Sequence, residues 1–157
     1  MTRQDGFTMV ELITVMVLLG VLAAIGLPRL MGDNGTSVAV FGDQLASALR
    51  QAHTNAVARR RTVCVEATGT AVRLRIKTTA GPGACNAAID NVTDDLFASR
   101  DSKVTVAGAP ATLFFQPDGT VSSSQNGPPL GRLALAIQAS GVTQRSVVLE
   151  GSTGYVR

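Results

Sequence analysis

Glu11 is the one carboxylate in an apolar run from Phe7 to Leu27. As helix, that run measures about 31 Å at roughly 1.5 Å per residue, which matches a bilayer core. A carboxylate facing lipid near the centre costs about 2.5 kcal/mol or more. Glu11 therefore either snorkels from a helix end or meets a cation. Cys64 and Cys85 offer a disulfide, two buried thiols, or part of a metal site. The basic residues form two groups. Arg59, Arg60 and Arg61 are consecutive where a helix should end, and cations there complement the C-terminal dipole. Arg73, Arg75 and Lys77 alternate along an expected strand, so all three project from one face while Val72, Leu74 and Ile76 project from the other. Such cations either contact phosphates or form an exposed, solvated face.

Little else has the pattern of a reactive constellation. His53 is the single histidine and sits on the edge of a helical stripe. No Gly-rich phosphate loop, HExxH, CxxC or GxSxG is present. Asp90, Asp94 and Asp95 cluster in a loop without the glycine and terminal Glu of an EF-hand, so they read as a solvated turn. We expect no enzyme activity, no catalytic residues, no metal site and no cofactor. Net charge is +3 with 16% charged residues, which is mildly basic. With no Trp, one Tyr and one His, composition argues against an aromatic ligand face or a multi-His site.

The elements that must position these residues follow from periodicity. Met1 to Gly6 is a short polar leader, after which the chain turns abruptly apolar. About 120 to 130 residues remain beyond the apolar run, enough for one small domain. Arg29 to Gly35 is rich in helix breakers that end, kink or unwind the first helix. Val38, Phe41, Leu45, Ala48, Leu49, Ala52 and Ala56 recur at steps of three and four, which predicts an amphipathic helix over about 36–59. The rest, about 62–157, reads as β. Residues 62–67 and 71–77 alternate around Thr68-Gly69-Thr70 as a hairpin. Residues 80–102 are a long polar excursion with little regular pattern. Shorter strands are expected at 103–106, 112–116 and 120–122, the last two joined by the turn Pro117-Asp118-Gly119. Residues 133–137 and 145–149 form a final pair, and 152–157 a tail or short edge strand. A long helix packed on an antiparallel sheet makes an α+β domain.

Gly6-Phe7-Thr8-Met9-Val10-Glu11-Leu12 resembles the type III signal of type IV pilins and type II secretion pseudopilins, in which the small residue precedes the apolar run instead of following it. Ala23 to Pro28 fits the same segment. Leu45 to Ala52, Asn55-Ala56 and Arg59 to Cys64 are similar to the helix-to-strand passage of the FimT/GspH family of minor pilins and minor pseudopilins. Phe114 to Gly119, and Val147 to Leu149 through Gly154-Tyr155-Val156-Arg157, are similar to its later strands.

The resemblance implies a pilin-like fold with three parts. Residues 1–6 are a leader cut after Gly6 by a prepilin peptidase, which methylates Phe7. Residues 7–29 are a transmembrane or filament-core helix, and residues 30–157 a globular domain. Glu11 would pair with the terminal amine of a neighbouring subunit, satisfying two groups that are each expensive alone in lipid. The implied partners are other pilins or pseudopilins, the peptidase, and the assembly platform of the bacterial inner membrane. The subunit would cross that membrane once, with its domain in the periplasm, before joining a fibre. In that oxidising compartment Cys64 and Cys85 read as a disulfide, with free thiols the alternative. Some members bind DNA in natural transformation through a C-terminal Gly-Arg-x-Arg tail. Here Tyr155 stands where the first arginine would be, although it can still stack on a base. The candidate DNA contacts are Arg59, Arg60, Arg61, Arg73, Arg75, Lys77, Tyr155 and Arg157. The expected function is a minor pilin acting in assembly, priming or the tip of a type IV pilus. A minor pseudopilin of type II secretion and a DNA-binding minor pilin are the alternatives.

Overall fold

The computed structural model describes residues 8–30, 34–79, 83–90, 92 and 96–157. The chain divides into two units, Met1–Asp33 and Asn34–Arg157. In the first, Thr8 caps helix α1 (Met9–Leu30). Its Oγ1 accepts from the Glu11 N–H at 3.3 Å, and its carbonyl accepts from the Leu12 N–H at 3.2 Å. Thr8 and Glu11 have the spacing of a capping box, and a carboxylate suits the first turn of a helix electrostatically. Glu11 thus has a local reason for its position besides any role between subunits. The large apolar side chains of this helix, from Met9 to Ile25, are all 51% to 82% exposed. Among the described residues, no helix is long and apolar enough to cross a membrane. The expected span over 7–29 begins and ends outside the described side chains of α1, which run from 9 to 25.

The second unit opens with α2 (Asn34–Arg59), two residues earlier than the pattern predicts. Its buried face is the expected one: Val38, Phe41, Leu45, Ala48, Leu49, Ala52 and Ala56 are all buried. The helix closes by a left-handed residue, Arg60, at φ +50. The Arg60 N–H donates to Val57 O at 3.3 Å and the Arg61 N–H to Ala56 O at 3.1 Å, the paired bonds of a Schellman closure. An arginine therefore occupies the position where glycine is the unstrained choice.

The strands are β1 (Val63–Thr68), β2 (Ala71–Ile76), β3 (Ala87–Ala88), β4 (Val104–Ala107), β5 (Leu113–Phe115), β6 (Val121–Ser122), β7 (Arg132–Ala139), β8 (Val142–Glu150) and β9 (Tyr155–Val156). All pairings are antiparallel, as expected, but they form two sheets where the sequence pattern gives one. The orders are β3-β2-β1-β5-β6 and β4-β7-β8-β9. The chain changes sheet because β4 pairs with β7, aligning Val106 with Ile137, and β5 then returns to β1, aligning Leu113 with Val65. Helix α2 packs on both sheets. Phe41, Leu45 and Leu49 share one core with Val65, Leu113 and Phe115 of the first sheet and Leu135, Ile137 and Leu149 of the second. The β7–β8 hairpin turns through Ser140 and Gly141, both at positive φ, as a tight two-residue loop requires.

The 80–102 excursion contributes more than its composition suggests. It supplies β3, and it sends Ile89, Val92 and Phe97 into the core. A disulfide joins Cys85 to Cys64 on β1 with Cα atoms 6.0 Å apart. Asp94 and Asp95 lie outside the described residues.

Candidate functional site

Gly6 and Phe7 lie outside the described residues, so the processing site is represented by Glu11 alone. Glu11 sits in the first turn of α1, on a helix whose apolar side chains face outward throughout its described length.

The candidate cations fall in three places. Arg59, Arg60, Arg61 and Lys77 line one cleft of about 510 Å³ at the C-terminal end of α2, together with Thr62 and Thr78. Arg59 is held by Asp90 at 3.1 Å, with both side chains largely exposed. Arg61 donates from Nη1 to the carbonyl oxygen of Thr78. Beneath the cleft runs a satisfied polar chain. Thr62 Oγ1 donates to Gln116 Oε1 at 3.3 Å, Gln116 Nε2 to Ser122 Oγ at 3.2 Å, and Ser122 Oγ to Ser124 O at 2.7 Å.

Lys77 departs from its expected position. The strand alternation puts it beside Arg73 and Arg75 on an exposed face, yet it is only 6% exposed. Strand β2 ends at Ile76, and Lys77 lies one residue beyond it, where the Arg59–Thr62 segment and Pro117 flank the same cleft. Regular alternation therefore stops applying at the residue where it was used. The remaining pair keeps the predicted face. Arg73 is exposed and Arg75 half-buried, while Val72, Leu74 and Ile76 are buried. Arg73 stands directly across the hairpin from Glu66, so this face is electrostatically mixed. The turn is the two residues Gly69-Thr70, one shorter than the Thr68-Gly69-Thr70 turn the sequence pattern gives, and this pairs Thr68 with Ala71 and hence Glu66 with Arg73.

The tail forms the third place. Tyr155 and Val156 make β9 on the edge of the second sheet. Arg157 extends the pairing, its N–H donating to Val148 O at 3.0 Å and its carbonyl accepting from Val148 N–H at 2.8 Å. Arg50 of α2 ties this tail down by donating to Val156 O at 3.2 Å. Tyr155 is 63% exposed and lines a groove with Arg50 and His53, separate from the cationic cleft. The candidate DNA residues thus do not share one surface.

An amphipathic helix laid on antiparallel sheets, behind an N-terminal apolar helix with one acid in its first turn, is the architecture of a pilin. Residues 1–27 match the family described as prokaryotic N-terminal methylation motif, and residues 42–153 match the family described as type II transport protein GspH. The chain belongs to the GspH family. Its fold is similar to that of the type IV minor pilin FimU of Pseudomonas aeruginosa, strain PAO1. Against one crystal form the TM-score is 0.55 at 20% identity, covering 79% of this chain and 89% of that one. Against a second crystal form the TM-score is 0.48 at 20% identity, covering 75% and 89%. Among curated proteins, none matches the sequence.

Proposed function

We propose that this chain is a low-copy structural subunit of a type IV pilus, acting in priming, assembly or the tip of the fibre. In this reading prepilin peptidase cuts after Gly6 and methylates Phe7. Helix α1 then holds the subunit in the inner membrane until assembly, with the domain on the periplasmic side. In the fibre the same helix packs among other pilins, and Glu11 meets the terminal amine of a neighbour. The observation that carries the reading is the outward apolar surface of α1, where side chains at least half exposed surround one carboxylate. A surface of that kind needs lipid or other helices to cover it. Glu11 then sets the axial register, since breaking a buried pair strands an unpaired charge.

A minor pseudopilin of type II secretion is the second reading, favoured by the description of the matching family. DNA capture during uptake requires the candidate cations to act together, and their separation into three places weakens that reading. The test is Glu11→Ala in the producing cell. The variant should stay in the membrane fraction and fall at least several-fold in sheared fibres. Wild-type recovery in the fibre would overturn the proposal.

A further inference from the structure

Lys77 is 6% exposed, so its stem is packed, while its ammonium opens into the cleft with no hydrogen-bond partner among the described residues. The cleft it lines is also lined by Arg59, Arg60 and Arg61, so like charges converge there. No carboxylate is among the described residues lining that cleft. Asp90 compensates Arg59 from outside it, so among the described residues Arg60, Arg61 and Lys77 are in excess. The α2 dipole opposes an anion here by about half a charge. Three cations outweigh that, and the N–H groups of Arg60 and Arg61 already satisfy two of the terminal carbonyls.

Arg60 supplies the second observation. At φ +50 it holds a strained backbone at the helix closure, where glycine would relieve the strain. Strain retained beside a cluster of like charges points to a side chain kept for what it binds.

We propose that this cleft binds one phosphate group. Lys77 contributes a point charge on a packed stem and Arg60 and Arg61 contribute planar donors, a combination suited to a tetrahedral oxyanion. Asn34 and Arg59 mark the two ends of α2, about 38 Å apart along its axis. The cleft is thus at the far end of the domain from where the chain enters it. The site rests on the cleft alone, so its failure leaves the assembly reading untouched.

The experiment is calorimetric titration of inorganic phosphate into the full chain in neutral detergent at low salt. Single-stranded DNA and phosphatidylglycerol vesicles serve as competitors. Phosphate should bind, and Lys77→Met, which keeps the buried stem, should weaken binding at least about tenfold. Arg60→Gly should weaken it several-fold while raising Tm by about 3 to 5 °C, so loss of fold cannot explain the result. Arg73→Ala should leave binding unchanged. Displacement by DNA assigns the group to a nucleic acid, displacement by vesicles to a lipid, and displacement by neither to free phosphate. No binding, or equal binding by Lys77→Met and Arg60→Gly, overturns the site.

Discussion

The His53 imidazole on α2 lies directly over Gly154, so a Cβ added at Gly154 would sit 2.2 Å from His53 Cδ2. It would also meet the carbonyl oxygen of Gly119 at 2.8 Å, and Gly154 has φ +66. The contact joins the helix to the turn that delivers β9. Gly154→Ala should therefore destabilise the protein by about 2 to 3 kcal/mol, combining left-handed strain with overpacking. Removing the imidazole should recover only part of this, because the Gly119 carbonyl and the backbone strain remain. Urea unfolding of Gly154→Ala with and without His53→Ala checks it; full rescue by His53→Ala would show that backbone strain contributes nothing.

The Cys64–Cys85 bridge closes a loop with a sequence separation of 21. Chain-entropy reasoning gives about 3 kcal/mol for a loop of that size. The bridge anchors the excursion that contributes Ile89, Val92 and Phe97 to the core. Replacing both cysteines with serine should lower stability by about that amount. Dithiothreitol should reproduce the loss in the wild type and have no effect on the double variant.

How much of this was legible depends on where periodicity holds. The α2 stripe from Val38 to Ala56 and the faces of the β1–β2 hairpin as far as Ile76 are legible because one repeating pattern decides each, whereas the hairpin register is not, its turn being one residue shorter than the pattern gives. Ile89, Val92 and Phe97 could not be read, since isolated apolar residues in a polar segment follow no period and are buried by long-range packing. The division into two sheets was equally hidden. Alternation says which face of a strand is buried, not which strand pairs with it. At the cleft the arginine run is plain in the sequence, but alternation places Lys77 on the wrong surface because the strand ends one residue before it. Arg60 looked like one cation among three, and only its backbone conformation sets it apart.

Asp118 organises the turn between β5 and β6. Its Oδ1 accepts from the Thr120 N–H at 2.9 Å and from the Thr120 hydroxyl at 2.8 Å. These bonds favour the ionised form and hold the Asp118 carboxyl below its usual value, the backbone bond first. A depressed folded-state value means the contribution is present above about pH 3.9, the ordinary Asp value, and is lost as pH falls through the lower folded value. The group is exposed, so screening keeps the contribution below about 0.5 kcal/mol. Asp118→Ala should lower Tm slightly at pH 7, and the gap from wild type should narrow below pH 4. A gap that widens on acidification would contradict the sign.

Gly42 and Arg145 set helix propensity against a surface clamp. Arg145 on β8 lies across α2, donating to Ala39 O at 2.8 Å and to Asp43 Oδ1 at 2.7 Å. A Cβ at Gly42 would stand 2.9 Å from Arg145 Cδ and 3.0 Å from its Nε. The obstructing atoms belong to a side chain that is 38% exposed and can swing away. Gly42→Ala gains about 1 kcal/mol of helix propensity. It forfeits an exposed ion pair worth about 0.2 to 1 kcal/mol and a bond to a helix carbonyl of similar size. The two nearly cancel, so Gly42→Ala alone should change stability by less than about 0.5 kcal/mol. In an Arg145→Ala background the three atoms nearest the new methyl are removed, and the same substitution should stabilise by close to the full 1 kcal/mol. Urea unfolding of the four proteins in this cycle should give a coupling near 1 kcal/mol. Equal effects of Gly42→Ala in both backgrounds would mean that the arginine does not need the space this glycine leaves.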